Sequence, residues 1–354
     1  MNTEIIKIQP GDGPVSEEDD EKLKAAGEIL RRGGLVAFPT ETVYGLGGDA
    51  LNPTSSKRIY AAKGRPSDNP LIVHIYRFED IYKITGDVPE EARRIADAFW
   101  PGPLTMILPK SDAVPYETTG GLDTVAIRMP SHPAAQKLIE YSGGYIAAPS
   151  ANTSGKPSPT VAKYVVEDMM GRIDAIIDGG EVGIGLESTI IDLTVSPPQI
   201  LRPGYITREK LSAVLGTVDT DATILRADSG QAPKAPGMKY RHYAPRGELT
   251  IVEGTPEQVR EYINREAAAD HAAGEKTGII GTEEMFSGYT ADVVKSVGSR
   301  RDEDSIARHL YTILREFDDE GVTKIYSEGF STDGFGQAIM NRLLKAAGHK
   351  VVKL

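Results

Sequence analysis

The chain alternates short apolar segments of strand length with amphipathic helical patterns, and this alternation restricts it to an α/β fold. Apolar runs occur at 35–38, 71–76, 104–108 and 125–129. Some of these runs are separated by a helical pattern and others only by a short turn. The pattern predicts a mixed α/β domain that ends near Leu215.

Local signals place the ends of several predicted elements. Ser16 and Asp19 fit a capping box that opens a helix, and Gly33 with Gly34 ends it. A second helix runs from Pro89 to the Pro-Gly-Pro after Trp100. The remaining elements predicted in this part are a helix from His132, a strand at 145–148, a helix from Val161, strands at 174–178, 189–193 and 199–202, and a helix after Thr207.

Residues 216–247 interrupt the alternation with a stretch that is rich in proline and glycine and has no apolar period. A second βα pattern follows, and it predicts a small parallel, Rossmann-like domain. We therefore predict a first domain at 1–215, a linker at 216–247 and a C-terminal domain at 248–354, in keeping with a length of 354 residues. The elements predicted in the second domain are strands at 249–254, 277–281 and 324–329 and helices at 256–268, 303–317 and 335–347.

Composition excludes several classes of function. The chain has no cysteine, which rules out disulfides, thiolate catalysis and thiolate metal sites. Its net charge of −11 repels polyanions, so any phosphate-binding site has to be built locally from a few basic side chains. The beginning of the sequence lacks a signal-peptide pattern, and no apolar run approaches membrane length. We expect a cytoplasmic protein.

The common nucleotide motifs are missing. No G-x-x-x-x-G-K-[ST] occurs, which argues against a P-loop. The segment GLGGDA at 45–50 matches a relaxed dinucleotide fingerprint, but six residues separate it from the preceding strand. Asn52-Pro53 follows where a helix should begin, so we interpret the match as chance. The second domain has no such motif either, and its pattern predicts no cofactor.

No protein nucleophile stands out. There is no G-x-S-x-G elbow, and the six histidines are scattered without metal-ligand spacing. If the chain is an enzyme, we expect one substrate to attack another while the protein positions them and neutralises charge.

 Phosphoryl and nucleotidyl transfer are the reactions that best suit this strategy.

Polar residues do gather at the predicted strand ends, where α/β folds build ligand crevices. The stretches that carry these polar residues are PTETVYGLG (39–47), KGRPSDNPLIVHI (63–75), TVAIRMP (124–130), APSANTSGKPSPT (148–160), LESTIIDLT (186–194) and ILRPG (200–204). Each has a structural alternative: Thr40 and Thr42 can form a turn, His74 can be a core histidine, and Arg128 can pair with an internal carboxylate. Lys63 and Arg65 can equally belong to a solvated turn. Their shared position at strand ends favours one common site.

These stretches, together with WPGPLTMIL and in this order, resemble the YrdC-like family, and specifically the threonylcarbamoyl-adenylate synthases. The match spans roughly residues 20–210, and the linker SGQAPKAPGMKYRHYAP with the C-terminal domain resembles the long, two-domain form. The resemblance implies a YrdC-like twisted mixed sheet around a large basic cavity. It also implies the reaction of L-threonine, bicarbonate or CO2, and ATP to L-threonylcarbamoyl-AMP, pyrophosphate and water, for threonylcarbamoyladenosine (t6A) in tRNA.

The resemblance also implies roles for individual residues. Lys63 and Arg65 would meet the ATP phosphates and act as the catalytic pair, and Arg128 would clamp the carboxylate of threonine. The threonine site would consist of Thr42, His74, Arg128 and Ser188. The ATP site would consist of Lys63, Arg65, Asn69, Thr124, Ala148, Ser150, Asn152, Ser158, Arg202 and Tyr240.

The same resemblance implies the partners of the reaction. Mg2+ would arrive with ATP and need few protein ligands, and a downstream threonylcarbamoyl transferase would pass the product to tRNA. The segment around Tyr240 would fold over the site as a lid and protect intermediates that water destroys. We expect neither stable nucleic-acid binding nor membrane attachment.

Two other functions remain open at this point. A YrdC-like module could hold RNA or a nucleotide without turnover, although the acidic net charge disfavours an RNA backbone. Carbamoyl transfer from carbamoyl phosphate is the second, but such chains carry zinc sites that a chain without cysteine cannot supply.

Overall fold

The computed structural model describes residues 2–11, 13–222, 224 and 242–354, and these form two β-sheets with helices packed on them. The strands of the first sheet are β1 (Glu4–Lys7), β2 (Val36–Phe38), β3 (Gly45–Asp49), β4 (Ile72–His74), β5 (Leu104–Pro109), β6 (Thr124–Arg128), β7 (Ile146–Ala147), β8 (Ala175–Asp178), β9 (Thr189–Asp192), β10 (Gln199–Arg202) and β11 (Asp219–Thr220). Its helices are α1 (Glu17–Arg31), α2 (Pro53–Lys63), α3 (Ile81–Ile84), α4 (Glu90–Phe99), α5 (Tyr116–Thr119), α6 (Pro133–Tyr141), α7 (Ala162–Met169) and α8 (Arg208–Leu215).

The first sheet has the order β1-β8-β2-β3-β7-β4-β6-β5-β9-β10-β11. Parallel pairs such as β4 with β6 alternate with antiparallel pairs such as β5 with β6. This arrangement confirms the predicted mixed sheet. Its last strand, β11, lies inside the stretch 216–247 that the sequence predicts as linker, and it pairs in parallel with β10.

Two helix starts in this part follow from capping. The Ser16 side chain accepts a hydrogen bond from the backbone N–H of Asp19, as the sequence predicts. Asn52 caps α2 through the N–H of Thr54, and Pro53 occupies the first helical position. The interpretation of Asn52-Pro53 as a poor helix start was therefore wrong. The segment GLGGD before it is the buried strand β3, and not a phosphate loop.

The second sheet is entirely parallel and has the order β14-β13-β15-β12-β16. This confirms the predicted parallel C-terminal sheet, and α9 and α10 extend a few residues beyond their predicted ends. The elements are β12 (Glu248–Glu253), α9 (Pro256–Ala272), β13 (Thr277–Gly281), β14 (Val293–Ser296), α10 (Glu303–Asp319), β15 (Lys324–Glu328), α11 (Gly336–Ala346) and β16 (Val351–Lys353).

The two sheets share buried contacts through α10 and α11. Val43 and Leu186 of the first part pack in one apolar cluster with side chains of these helices. Arg315 on α10 also forms a buried ion pair with Asp168, with Nη2 2.8 Å from Oδ2. The helices of the second sheet therefore form part of the surroundings of the loops on the first.

Within the residues that the structure describes, no helix is both long and apolar enough to span a membrane.

Candidate active site

A cavity of about 70 Å³ lies between loops at the strand ends of the first sheet. The loop after β2, the ends of β4, β6 and β10, the loop after β7 and the residues before β9 contribute to its wall. The side chains that line it from the predicted set are Arg65, His74, Arg128, Ala148, Ser150, Asn152, Ser188 and Arg202.

His74 and Arg128 are neighbours because β4 and β6 pair in parallel with these two residues in register. Equal register in a sheet places both side chains on one face. Burial, together with the positive charge of Arg128, lowers the pKa of His74 to about 3. The imidazole is therefore neutral near pH 7. Its Nδ1 lies 3.1 Å from the carbonyl oxygen of Ile72.

Arg128 has a buried carboxylate beside it. Its Nη2 lies 2.7 Å from Oε1 of Glu41, and both side chains are more than 90% buried. Among the described residues, neither Glu41 oxygen has an aligned hydrogen-bond donor, and neither Nε nor Nη2 of Arg128 has an aligned acceptor. The two groups are thus held together by charge more than by hydrogen bonds.

Hydroxyl groups lie on the wall beside this pair. The Ser188 hydroxyl is 2.8 Å from the hydroxyl of Thr105, and Arg202 donates to both the Oγ (3.1 Å) and the carbonyl (3.0 Å) of Ser188. Thr42 is fully buried behind the wall, where its hydroxyl is 2.9 Å from that of Thr40. Thr40, two residues before the predicted Thr42, lines the cavity instead.

The Lys63 ammonium lies behind the loop that follows β7. It donates to the carbonyl oxygens of Ser150 and Asn152, at 2.5 Å each. Burial, together with the neighbouring charge of Arg65, lowers the pKa of Lys63 well below its usual value. The structure therefore places Lys63 next to the wall without exposing its ammonium to the cavity.

Arg65 does line the cavity, and Gly64 explains how the chain turns to reach it. Gly64 ends α2 in the left-handed conformation (φ 61°), which favours glycine. The Nη2 of Arg65 donates to the carbonyls of Asn69 (3.1 Å) and Pro70 (3.0 Å). The buried Nε of Arg65 has no partner among the described residues. Burial lowers the pKa of Arg65 to about 10, so it stays charged.

The other predicted nucleotide residues are not all on the wall. Asn69 is buried next to Arg65, and Ser158 is buried behind Glu187. Thr124 begins β6, four residues before Arg128, which is about 13 Å along a strand. The structure thus separates Thr124 from the cavity. Tyr240 lies outside the described residues.

Glu187 lines the cavity and was missed, although it stands in the stretch LESTIIDLT that the sequence singled out. It accepts hydrogen bonds from Ser158 (2.6 Å), Tyr311 (3.0 Å) and Arg342 (2.9 Å). Burial alone would raise its pKa, but Arg342 and Arg202 outweigh burial and lower the pKa to about 2. The carboxylate is therefore ionised, and its charge is neutralised from the C-terminal domain.

His242 and Tyr243 also line the cavity, and they belong to the basic stretch KYRHY of the predicted linker. Tyr243 has a positive φ of 64° and stacks on Tyr311, with ring centroids 5.2 Å apart. The composition of KYRHY was the signal in the sequence for this contact, because a plain spacer does not need aromatic and basic residues. This part of the predicted linker is thus anchored against the site.

The charges on the wall favour an anionic ligand. Arg65, Arg128, Lys156 and Arg202 line the cavity, and Glu187 is the one carboxylate among the described lining residues. A local excess of cations in a low-dielectric pocket attracts phosphates and carboxylates even when the whole molecule is acidic. The arrangement can bind an anion, orient it through hydroxyls and exclude water.

Two family models match consecutive parts of the chain. The Sua5_yciO_yrdC model, described as "Telomere recombination", matches residues 28–204, and the model described as "Threonylcarbamoyl-AMP synthase, C-terminal domain" matches residues 206–348. Together they account for both sheets and for the residues between them.

Relatives of known name extend over almost the whole chain. The threonylcarbamoyl-AMP synthase of Pyrococcus abyssi is 51% identical over 94% of this chain and 96% of its own length. The threonylcarbamoyl-AMP synthase of Bacillus subtilis is 49% identical over 95% of each chain.

Solved structures agree with these relatives. P. abyssi Sua5 complexed with L-threonine has a TM-score of 0.93 and 49% identity, covering 99% of this chain and 100% of that one. Escherichia coli YciO has a TM-score of 0.51 and 26% identity, covering 56% of this chain and 95% of that one. From the fold, the site and these matches, the chain belongs to the two-domain threonylcarbamoyl-AMP synthase family.

Proposed function

We propose that the chain is a nucleotidyltransferase that makes L-threonylcarbamoyl-AMP and pyrophosphate from L-threonine, bicarbonate or CO2, and ATP, with water as a further product when bicarbonate is the carbon source. The observation that carries the proposal is a cationic cavity that holds a neutral histidine and a buried arginine on adjacent strands. Its family relatives of the same length bear the name of this activity. The product would serve t6A formation in tRNA through a downstream threonylcarbamoyl transferase, and the cytoplasm stays the location predicted from the sequence.

Arg128 would bind the carboxylate of threonine. Its present partner Glu41 makes no aligned hydrogen bond with it, so a substrate carboxylate could replace that contact with a bidentate pair. His74, neutral next to Arg128, would accept or donate a hydrogen bond without adding a second positive charge. The Ser188 hydroxyl would hold the other end of the amino acid.

The nucleotide would lie toward Arg65 and Arg202. A triphosphate brings several negative charges, and two guanidiniums can meet them with fixed donor geometry. Lys63 would join them by exchanging the carbonyls of Ser150 and Asn152 for phosphate oxygens, because an adjacent polyanion favours its charged form.

The chemical steps would need no protein nucleophile. The amine of threonine captures CO2 as a carbamate, and a carbamate oxygen then attacks the α-phosphorus while pyrophosphate leaves. With CO2 the neutral amine gives the carbamate and one proton, and with bicarbonate it gives the carbamate and one water. The protein's part is to hold the two reactants in line and to neutralise the developing charge.

Mg2+ would reach the cavity as part of the ATP complex. Among the described residues, no group of three or more His, Cys, Asp or Glu side chains is arranged to hold a metal ion. Glu187, the carboxylate on the described wall, is engaged by Arg342 and Tyr311. Phosphate oxygens and water would therefore supply the ligands of the ion.

His242 and Tyr243 would form part of the lid expected from the linker. Pockets that bind small molecules commonly measure about 300–1,000 Å³, much more than the cavity of about 70 Å³. Admission of ATP would then require displacement of this wall. Closure over the reactants would protect the carbamate and the adenylate from water.

The decisive experiment is pyrophosphate release from ATP and Mg2+, with threonine and bicarbonate each present or omitted. Release that requires both substrates would support the synthase. Release without either would indicate plain ATP hydrolysis. ATP binding without any release would favour the non-catalytic nucleotide- or RNA-binding module instead.

A further inference from the structure

A second and larger cavity, of about 410 Å³, lies in the C-terminal domain, at the carboxyl ends of β12 and β15. Glu253 and Gly254 follow β12 on its wall, and Gly329 and Phe330 follow β15. It shares no lining residue with the cavity of the first sheet. The mechanism proposed above makes no use of it.

The topology of the second sheet creates this crevice. β12 and β15 are neighbours, but α9 leads from β12 to β13 on one side, whereas α11 leads from β15 to β16 on the other. The two connections also cover opposite faces, since Val259 of α9 packs with Val252, while Ile339 of α11 packs with Ile251. Open parallel sheets bind ligands where neighbouring strands send their connections in opposite directions.

Two positive groups lie on the crevice wall. Arg300 pairs with the buried carboxylate of Glu328, which also accepts a 2.7 Å hydrogen bond from the backbone N–H of Thr282. The Arg300 side chain is 41% exposed, so it is only partly covered. The 17-residue helix α9 begins on the same wall at Pro256, and its N-terminus carries a partial positive charge.

The remaining wall offers a carboxylate and apolar surface. Glu253 is about one-third exposed, and its side chain passes over Gly329, where an added Cβ would lie 3.0 Å from its Cγ. Val252, Met285 and Phe330 provide the apolar part. An anion, a hydroxyl and a flat apolar group can thus be accommodated together within one crevice.

We propose that this crevice binds a nucleoside phosphate of about one nucleotide in size. The phosphate binds at Arg300 and the N-terminus of α9, a ribose hydroxyl donates to Glu253, and the base packs against Phe330 and Met285. The cavity volume lies within the range of about 300–1,000 Å³ that is usual for small-molecule sites. This inference does not depend on the reaction proposed for the first cavity.

Methyl NMR of the full chain with ¹³C-methyl methionine tests the site directly, because Met285 lines the crevice and no methionine lines the first cavity among the described residues. AMP is the probe, adenosine and inorganic phosphate are the comparison ligands, and Met285→Leu assigns the signal. We expect AMP to shift the Met285 signal saturably, at least tenfold more tightly than either comparison ligand.

Substitutions at the exposed rim complete the test. Ser331→Trp obstructs the crevice and should weaken AMP binding at least tenfold, whereas Thr332→Trp, one residue further and off the wall, should leave it unchanged. Glu253→Gln should weaken AMP about threefold or more without changing the phosphate titration. No saturable Met285 shift, or one that Ser331→Trp does not alter, would overturn the site. Equal affinity for AMP and phosphate would overturn the nucleotide assignment. Pyrophosphate release by Ser331→Trp, measured alongside, reports separately on the first cavity.

Discussion

Two buried arginine–glutamate pairs flank the first cavity, and they are built differently. Arg342 binds Glu187 at 2.9 Å, and the carboxylate accepts further hydrogen bonds from Ser158 and Tyr311. Arg128 and Glu41 approach to 2.7 Å, but they have no aligned hydrogen bond.

We interpret Arg342–Glu187 as a structural pair, and Arg128–Glu41 as a pair in which a substrate carboxylate can replace Glu41. A buried carboxylate with several donors is costly to disturb, because every donor would lose its partner at once. A buried pair held only by proximity leaves donors and acceptors available for a third group. We therefore expect Arg342 variants to lose stability and Arg128 variants to lose substrate.

The largest effect should come from Arg342→Met. Removal of one partner of a buried ion pair typically costs about 3–5 kcal/mol, because the remaining charge is left uncompensated. Chemical denaturation followed by fluorescence measures this loss. Glu187→Gln in the same chain should restore part of it, and a loss below about 1 kcal/mol would contradict the structural role.

Arg128→Ala should raise the KM for threonine by more than about 100-fold, since two charge-assisted hydrogen bonds are lost at about 1.5–3 kcal/mol each. ATP affinity, measured by calorimetry, should change less than about threefold, which corresponds to roughly 0.7 kcal/mol. Loss of ATP binding with threonine binding intact would overturn the assignment of Arg128.

Arg65→Ala should weaken ATP binding about tenfold, because a charged donor to phosphate is worth about 1.5–3 kcal/mol. Lys63→Ala should act in the same direction, and it should also loosen the loop whose carbonyls Lys63 holds. Lys57→Ala is the matched control, since this exposed lysine lies on the same helix. Unchanged ATP affinity in Arg65→Ala would exclude a phosphate role.

Glu41→Gln should have a smaller effect of opposite sign on binding. Without the competing carboxylate, Arg128 is available to threonine, and we expect the KM to fall about threefold, or roughly 0.7 kcal/mol. The melting temperature should fall as well, because Arg128 is then buried without a counter-charge. A purely structural Glu41 would instead raise the KM together with the loss of stability.

The smallest effect concerns pH. Because the pKa of His74 is lowered to about 3, histidine ¹³C NMR should show no titration of its imidazole between pH 8 and 5. The unfolded chain binds a proton at this residue near its ordinary pKa of 6.5, so His74 stabilises the fold above pH 6.5 and this contribution is lost as pH falls toward 3. A His74 signal that moves within pH 8 to 5 would contradict the buried, neutral state.

Much of the fold could be predicted because local signals agreed with the apolar pattern. Ser16 with Asp19 marked a helix start that the structure contains. One of the elements that were not predicted, GLGGD, is a strand made almost without side chains, where glycines allow close packing against Phe38 and Ile146. Apolar periodicity cannot reveal such a strand, since glycine carries no hydrophobic signal.

The sequence named eight residues that line the cavity, but not how they lie relative to one another. His74 and Arg128 were both named, yet their pairing depends on the register of two strands that lie far apart in sequence. Thr124 sits on the same strand as Arg128 but at its far end. Glu187 was missed because its cation, Arg342, comes from a helix 155 residues later. Motifs identify residue types, whereas long-range packing decides which side chains face the cavity.

The strand order has a consequence for how the chain is made. Among the described residues β1 pairs with β8, so Glu4 waits until Ala175 has been synthesised. Glu187 waits longer for Arg342, which follows it by 155 residues. The strands of the first sheet are complete at Thr220, well before Arg342 is made. The sheet can therefore form before its cavity acquires the counter-charge of Glu187, because a non-local contact needs both of its partners.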